Sequence, residues 1–509
     1  MFAQVATVAF QGIEAKPVDV QVLIAPGLPA FTIVGLADKA IAESRERVRA
    51  ALTAIGLGLP PKRITVNLAP ADLPKEGTHY DLPIALGLMA ACGAIPGDQL
   101  EDYCVIGELG LDGGIAQVVG GLPAAIGANM RGKGLICPAG SGPEAAWASS
   151  DLDILAPDHI LSLVNHFKGL SSLARPKPAM KTGKVGYSDL REVKGQENAK
   201  RALEIAAAGG HHMLMVGPPG AGKSMLAARL PSILPPLEPQ ELLEVAMIHS
   251  MAGTLSPSGL SDKRPFRAPH HSASMASLVG GGTKPKPGEA ALAHLGVLFL
   301  DELPEFNPQT LDALRQPLES GETIIARANH RITYPSRLQL IAAMNPCRCG
   351  RAGDPGASCK QGPRCASGYA ARISGPFLDR IDLKIEMTAV RAIDLALPAS
   401  GETSAAILQR VSAARAIQMR RFHKAGLPNL RVNAYCPAAL LEGDAASDAE
   451  GVRFFNDAAC QLQLSARGYY RALRVARTLA DLDGEDRVRR MHLAEALSYR
   501  GEMAERAAA

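Results

Sequence analysis

The chain carries one run whose residue types and order suit phosphate chemistry: Gly217-Pro218-Pro219-Gly220-Ala221-Gly222-Lys223-Ser224. Glycines let backbone N–H groups turn inward on a polyphosphate. A lysine at this place reaches the β/γ oxygens, and the following hydroxyl can hold Mg²⁺. The flanks fit as well: Met213–Val216 is apolar and strand-like, and Met225–Leu230 is helix-forming. A second chemical group lies at Val297-Leu-Phe-Leu-Asp301-Glu302, an apolar strand ending in two carboxylates. Asp301 suits the Mg²⁺ shell, and Glu302 can polarise an attacking water. Leu338–Met344 is a further apolar strand that ends at Asn345, a polar tip able to position that water. Alone, Asn345-Pro346 also reads as the start of a turn.

Arginines form the next group. Arg380, within Phe377-Leu-Asp-Arg-Ile-Asp382, suits a finger that enters a neighbouring copy's site; the rival is an ordinary Asp–Arg pair. Arg467, Arg471 and Arg474 share one helical stripe that suits γ-phosphate sensing or a solvated basic face.

Cys347, Cys349, Cys359 and Cys365 fall within one glycine-rich loop, 345–366. Four thiolates there can close a tetrahedral Zn²⁺ site and fold a segment too polar to fold by burial. Two disulfides, disfavoured in a reducing compartment, and free unpaired thiols are the alternatives. Basic residues in two segments suit phosphate contact without base reading: Arg264, Arg267, Lys284 and Lys286 in a Gly- and Pro-rich stretch, and Arg327 and Arg331 in a hairpin-like segment, Thr323–Pro335. Solvated loops or a subunit interface are the competing readings.

These residues must be held by more than one domain, since 509 residues exceed a single core. The apolar fraction of 47% supports packed globular domains rather than disorder. Aromatics are only 4%, which excludes a binding surface built mainly on base stacking. The net charge of +4 places any nucleic-acid contact in local clusters, not in a global field. No apolar run is long enough to span a bilayer, and the opening residues lack a basic stretch followed by an apolar core, so a cytoplasmic protein without a membrane partner is expected.

The expected fold class is α/β. Residues 1–167 read as a mixed α+β domain, with strands at Val20–Ala25, Phe31–Val34 and Arg63–Leu68 and helices at Lys39–Ala54 and Leu82–Cys92. Residues 168–188 have linker composition. Strand–helix alternation over 189–390 predicts a parallel sheet flanked by helices. Residues 391–509 read as a helical lid, with helices at Ala405–Phe422, Asp448–Leu462, Tyr469–Ala480 and Met491–Arg506.

The phosphate loop, the Asp301/Glu302 strand, Asn345 and Arg380 together resemble the AAA+ superfamily. In its terms Asn345 matches the first sensor and Arg380 the arginine finger. Arg467 matches the second sensor, with Arg474 as the alternative, and Gln196 in Val193-Lys-Gly-Gln196 lies in the segment lining the adenine pocket. Arg264-Pro-Phe-Arg-Ala-Pro-His-His271, Pro287-Gly-Glu-Ala290 and Met344-Asn-Pro-Cys-Arg-Cys349 narrow this to the ComM/YifB family of magnesium-chelatase-like AAA+ proteins. The resemblance covers essentially the whole chain. It implies ATP and Mg²⁺ as cofactors, a homo-hexameric ring, and branch migration on branched or single-stranded DNA in natural transformation or recombination. A chelatase-like or chaperone-like remodeller of a protein complex is the alternative.

Pro74-Lys-Glu-Gly-Thr-His-Tyr-Asp81 and Gly107-Glu-Leu-Gly-Leu-Asp-Gly113 resemble the proteolytic domain of Lon proteases, whose serine nucleophile is activated by a lysine. Here His79 stands at the serine position and Pro123 in the stretch matching the lysine. Peptide hydrolysis is therefore not expected.

Overall fold

The computed structural model describes the chain except residues 37, 180–186, 256–258, 283–285, 328–329, 351–358, 360–362, 391–400, 443–448 and 501–509, and the side chains of residues 327, 330, 363 and 449. It divides into two compact units. The first comprises Met1–Gly183, Pro239–Ser261 and Ala326–Tyr334, and the second comprises Lys184–Glu238, Asp262–Ile325 and Pro335–Ala509.

A seven-stranded mixed sheet organises the first unit: β1 (Phe2–Gln11), β2 (Glu14–Ala25), β3 (Ala30–Val34), β4 (Arg63–Ala69), β5 (Tyr103–Val105), β6 (Gly134–Ile136) and β7 (Ile154–Leu155), in the order β3-β4-β2-β1-β5-β6-β7. β1 and β2 pair antiparallel with Val5 opposite Val20, closed by a tight turn where Gly12 adopts φ +67°. That left-handed conformation suits glycine, which has no Cβ to clash. Helices α1 (Lys39–Ala54) and α2 (Asp81–Ala91) cover the sheet. α1 has the predicted bounds and is capped by Asp38, whose side chain accepts from Ile41 N–H. α2 is buried along nearly its whole length, and it approaches the sheet so closely that a Cβ at Gly87 would lie 2.8 Å from Val22 Cγ2. α3 (Gly121–Asn129) follows β5 in this unit.

The second unit is built on a parallel sheet of β8 (Met213–Val216), β9 (Phe266–Arg267), β10 (Val297–Leu300), β11 (Gln339–Met344) and β12 (Leu383–Glu386), in the order β9-β10-β11-β8-β12. β8, β10 and β11 are buried at every position. Parallel strands covered on both faces read as continuous apolar runs, which is why the sequence exposes them. α4 (Glu197–Gly209) precedes β8 and α5 (Lys223–Ala227) follows it. The C-terminal helices are α7 (Ser404–Lys424), α8 (Ala449–Gln461), α9 (Ala466–Leu482) and α10 (Arg490–Ser498). α7 packs on α4, where Arg415 donates to Ala207 O and Gln418 to Ala208 O, satisfying carbonyls orphaned at the helix end.

The stretch 189–390, expected as one core, is shared between the units. α6 (Pro239–Ala252) belongs to the first unit because Leu242, Leu243, Ala246 and Met247 join Leu122, Ile126 and Trp147 in one apolar cluster. Gly120 N–H also donates to Ser250 O. The predicted hairpin forms from Glu322–Arg327 and His330–Pro335, and Ala326–Tyr334 groups with the first unit. Among the described residues no helix is long and apolar enough to cross a membrane.

Candidate functional site

The phosphate loop connects β8 to α5, and two of its glycines have positive φ: Gly220 at +79° and Gly222 at +87°. The Lys223 ammonium is buried and donates to Gly217 O at 2.7 Å, Pro218 O at 2.9 Å and Asn345 Oδ1 at 3.1 Å. Burial lowers the Lys223 pKa from the ordinary lysine value, against the opposing pull of Asp301 and Glu302. Parallel pairing of β8 with β11 brings Asn345 to this point, and Gly217 N–H donates to Met344 O at 3.2 Å.

Ser224 Oγ donates to Asp301 Oδ2 at 2.5 Å in an exposed position. A hydroxyl and a carboxylate oxygen converging there fit the ligand set of a Mg²⁺ that keeps most of its waters. Glu302 follows with its backbone N–H on Asp301 Oδ1 at 2.9 Å and with φ +52°, a left-handed conformation uncommon outside glycine. Gln196, also left-handed at φ +60°, donates to Thr388 O at 2.6 Å and Ala221 O at 3.3 Å, so it braces the phosphate loop.

Sequence reasoning missed one contact at the carboxylates. His271 Nδ1 lies 3.3 Å from Glu302 Oε2, and its ring lies tilted against His270 at 4.0 Å and edge-on to Phe306. Thirty-one positions separate His271 from Glu302, and the parallel β9–β10 pairing carries one toward the other.

The arginines gather elsewhere in the same unit. Arg380, Arg467, Arg471 and Arg474 line a cavity of about 420 Å³ with Glu319 and Asp382, and no phosphate-loop residue lines it. Arg380 is buried and donates to Glu319, to Pro376 O at 2.6 Å and to Arg315 O at 3.2 Å. Arg467 lies 3.6 Å from the same Glu319 with 63% of its side chain exposed. Hydrogen bonding to Arg380 holds the Glu319 carboxyl below its ordinary value, outweighing desolvation. Arg471 pairs with buried Asp382 at 2.7 Å, and Arg474 donates to Cys436 O at 2.9 Å. Glu319 carried no signal in the sequence.

Cys347, Cys349, Cys359 and Cys365 place their sulfurs within 4.8 Å of one another. Cys347–Cys349 and Cys349–Cys359 are 3.2 and 3.3 Å apart. A disulfide needs about 2.05 Å.

The basic segments divide. Arg264 donates to Pro235 O at 2.7 Å and Leu295 O at 2.8 Å, and Arg267 makes a bidentate pair with Glu289 at 2.6 and 2.8 Å. Both guanidiniums are thus engaged within the fold, because the loops they join bury carbonyls and a carboxylate beside them. Lys286 and Arg331 are exposed. Lys284 and the side chain of Arg327 lie outside the described residues.

In the first unit the Lon-like residues are closed in. His79 is buried, with Nε2 2.8 Å from Val8 O, and burial lowers its pKa to about 4. Lys75 is buried and donates to Pro70 O. Asp81 forms a bidentate pair with Arg47 at 2.6 and 3.0 Å. Pro123 lies buried in α3.

Comparison with known proteins agrees with this architecture. Residues 189–395 match the family model "Magnesium chelatase, subunit ChlI", 20–141 match "Subunit ChlI of Mg-chelatase", and 401–500 match "Magnesium chelatase, subunit ChlI C-terminal". The chain is 45% identical over 501 residues to "Uncharacterized protein YifB" of Salmonella typhimurium, covering 98% of this chain and 97% of that one. It is 45% identical over 498 residues to "Competence protein ComM" of Haemophilus influenzae, covering 97% and 96%. A shorter match, 27% identical over 152 residues and 28% of each chain, links it to "Lon protease 2" of Bacillus subtilis.

Proposed function

The chain belongs to the ComM/YifB family of magnesium-chelatase-like AAA+ proteins, and we propose that it is an ATP-hydrolysing ring motor, a homo-hexamer that moves branched or single-stranded DNA in the cytoplasm. The observation that carries this reading is the division of the machinery within one unit. Lys223, Ser224, Asp301, Glu302 and Asn345 lie together around the phosphate loop, whereas Arg380 and Arg467 share Glu319 in a separate cavity. Each copy then holds two half-sites, and a triphosphate is cleaved only where the halves of adjacent copies meet.

In that joint site the loop N–H groups and Lys223 bind the phosphate oxygens. Ser224 and Asp301 would hold Mg²⁺, which neutralises charge on the phosphates. Glu302 orients the attacking water and takes its proton, and Asn345 fixes the line of approach while anchoring Lys223. Arg467, with Arg380 behind it, meets the developing γ-phosphate charge from the neighbouring copy. Glu319 keeps both cations in place until phosphate competes for them. Zn²⁺ at Cys347, Cys349, Cys359 and Cys365 completes the metals. Lys286, Arg331, Lys284 and Arg327 supply non-specific phosphate contacts to DNA. The first unit serves as a collar without peptidase activity.

The test is strand displacement on a three-way DNA junction, with wild type against Lys223→Ala. ATP-dependent displacement by wild type alone is expected, with ATPase stimulated by the branched DNA. The magnesium-chelatase family models favour one rival, a remodeller of a protein complex. ATPase that ignores every DNA but responds to a protein partner establishes that rival.

A further inference from the structure

We propose that the four-cysteine cluster is a Zn²⁺ clamp on the phosphate loop, so that ATP affinity depends on the metal. This rests on the ATPase reading above and adds a control to the same site.

The thiol geometry fits the ion. Tetrahedral Zn–S bonds of about 2.3 Å place sulfurs about 3.8 Å apart. The observed separations of 3.2 and 3.3 Å, with all four within 4.8 Å, bracket that edge. Cys347 and Cys349 flank a tight turn in which Gly350 N–H donates to Cys347 O at 2.9 Å, and Gly350 has φ +75°. Such a turn aims two thiols at one point while leaving the backbone bonded to itself.

The clamp follows from what this turn touches. A Cβ at Gly350 would lie 2.8 Å from both Cγ and Cδ of Pro219, so only a glycine lets the cysteine turn seat against the phosphate loop. The same strand end touches the loop at two other points: Met344 O accepts from Gly217 N–H, and Asn345 Oδ1 accepts from Lys223. Residues 344–350 therefore back the phosphate loop at Gly217, Pro219 and Lys223. Cys347 is fully buried at the base of this segment, while Cys359 and Cys365 enter from further along the chain. Metal bonds tie those distant residues to the turn. Without them that tie is lost, and the backing of the phosphate loop loosens.

The experiment uses the full chain purified reduced. Zinc is counted by elemental analysis, and binding of a fluorescent ATP analogue is titrated before and after metal removal by a chelator, then after zinc is restored. We expect about one zinc per chain, analogue binding weakened about tenfold on removal, and recovery on restoration with unchanged far-UV circular dichroism. Cys349→Ser should reproduce the weakened binding, and Cys460→Ser, outside the cluster, should not. Zinc near zero in reduced, metal-replete protein overturns the site. Zinc present with analogue affinity unchanged on its removal overturns the clamp alone. A zinc-loaded protein that binds no ATP analogue overturns the ATPase reading on which the clamp stands.

Discussion

Two turns in this chain bring glycine, lysine and a short polar residue to the start of a helix, Pro74–Asp81 before α2 and Gly217–Ser224 before α5. In the first, Lys75, His79 and Asp81 are each engaged by a neighbour under cover. Lys75 donates to Pro70 O, His79 Nε2–H donates to Val8 O, and Asp81 locks onto Arg47. In the second, Lys223 is tethered to Asn345 beside the exposed Ser224–Asp301 pair. Similar ingredients thus give a sealed polar core in one place and an open phosphate cradle in the other. What separates them is access to solvent, together with partners that a ligand can displace.

The comparison can be broken most directly at Glu302. Glu302→Gln should retain ATP binding and lower turnover by about 10² to 10⁴ fold, read by steady-state phosphate release; turnover near wild type removes Glu302 as the base. At the same scale, Lys223→Ala and Arg380→Ala should each be inactive alone, and mixing them should restore part of the ATPase. Absence of recovery in mixtures would count against half-sites shared between copies.

The sealed turn makes a pH prediction. Folded His79 titrates near 4, against an ordinary value of 6.5, because burial disfavours the imidazolium. The unfolded chain therefore takes up a proton first as pH falls. Stability should be full above about pH 6.5 and drop by about 3 kcal/mol as pH approaches 4. His212, likewise buried with a pKa near 4, should add to acid sensitivity in the other unit. Urea midpoints between pH 4 and 7 check this, and His79→Asn should flatten the share due to His79. The same variant scale applies to chemistry: His79→Ser should yield no peptidase, because Pro123 stands where the Lon resemblance calls for the lysine base.

The smallest effect is expected at His271. Its contact holds Glu302 to one side, so His271→Ala should change basal ATPase only severalfold, about 1 kcal/mol. The sharper reading is whether DNA still stimulates that variant. Stimulation equal to wild type would limit His271 to packing.

Much of the site was legible because its chemistry is local in the chain. The phosphate loop, Asp301 and Glu302 each follow a short apolar run, and buried parallel strands announce themselves by composition. α1 was legible from its one-sided periodicity. Other elements were not. β1 lies in a part of the expected α+β domain to which the sequence assigned no strand, and it became a central strand through pairing with both β2 and β5. α6 sits between the phosphate loop and Asp301 in sequence, yet packs with α3, since its apolar residues match a surface more than a hundred positions earlier. Arg264 and Arg267 looked available for phosphate until Leu295 O and Glu289 were found beside them.

Residue types and spacing alone pointed to a phosphate loop, to carboxylates of a kind suited to Mg²⁺ and water, and to a cluster of four thiols. Each of those needs only neighbours within a few positions. Tertiary structure alone decided that Lys75 is spent on Pro70 O while Lys223 reaches Asn345, that Glu319 gathers Arg380 and Arg467, and that the cysteine turn backs the phosphate loop. Burial and long-range partners set those outcomes, and they exist only once distant segments have packed together.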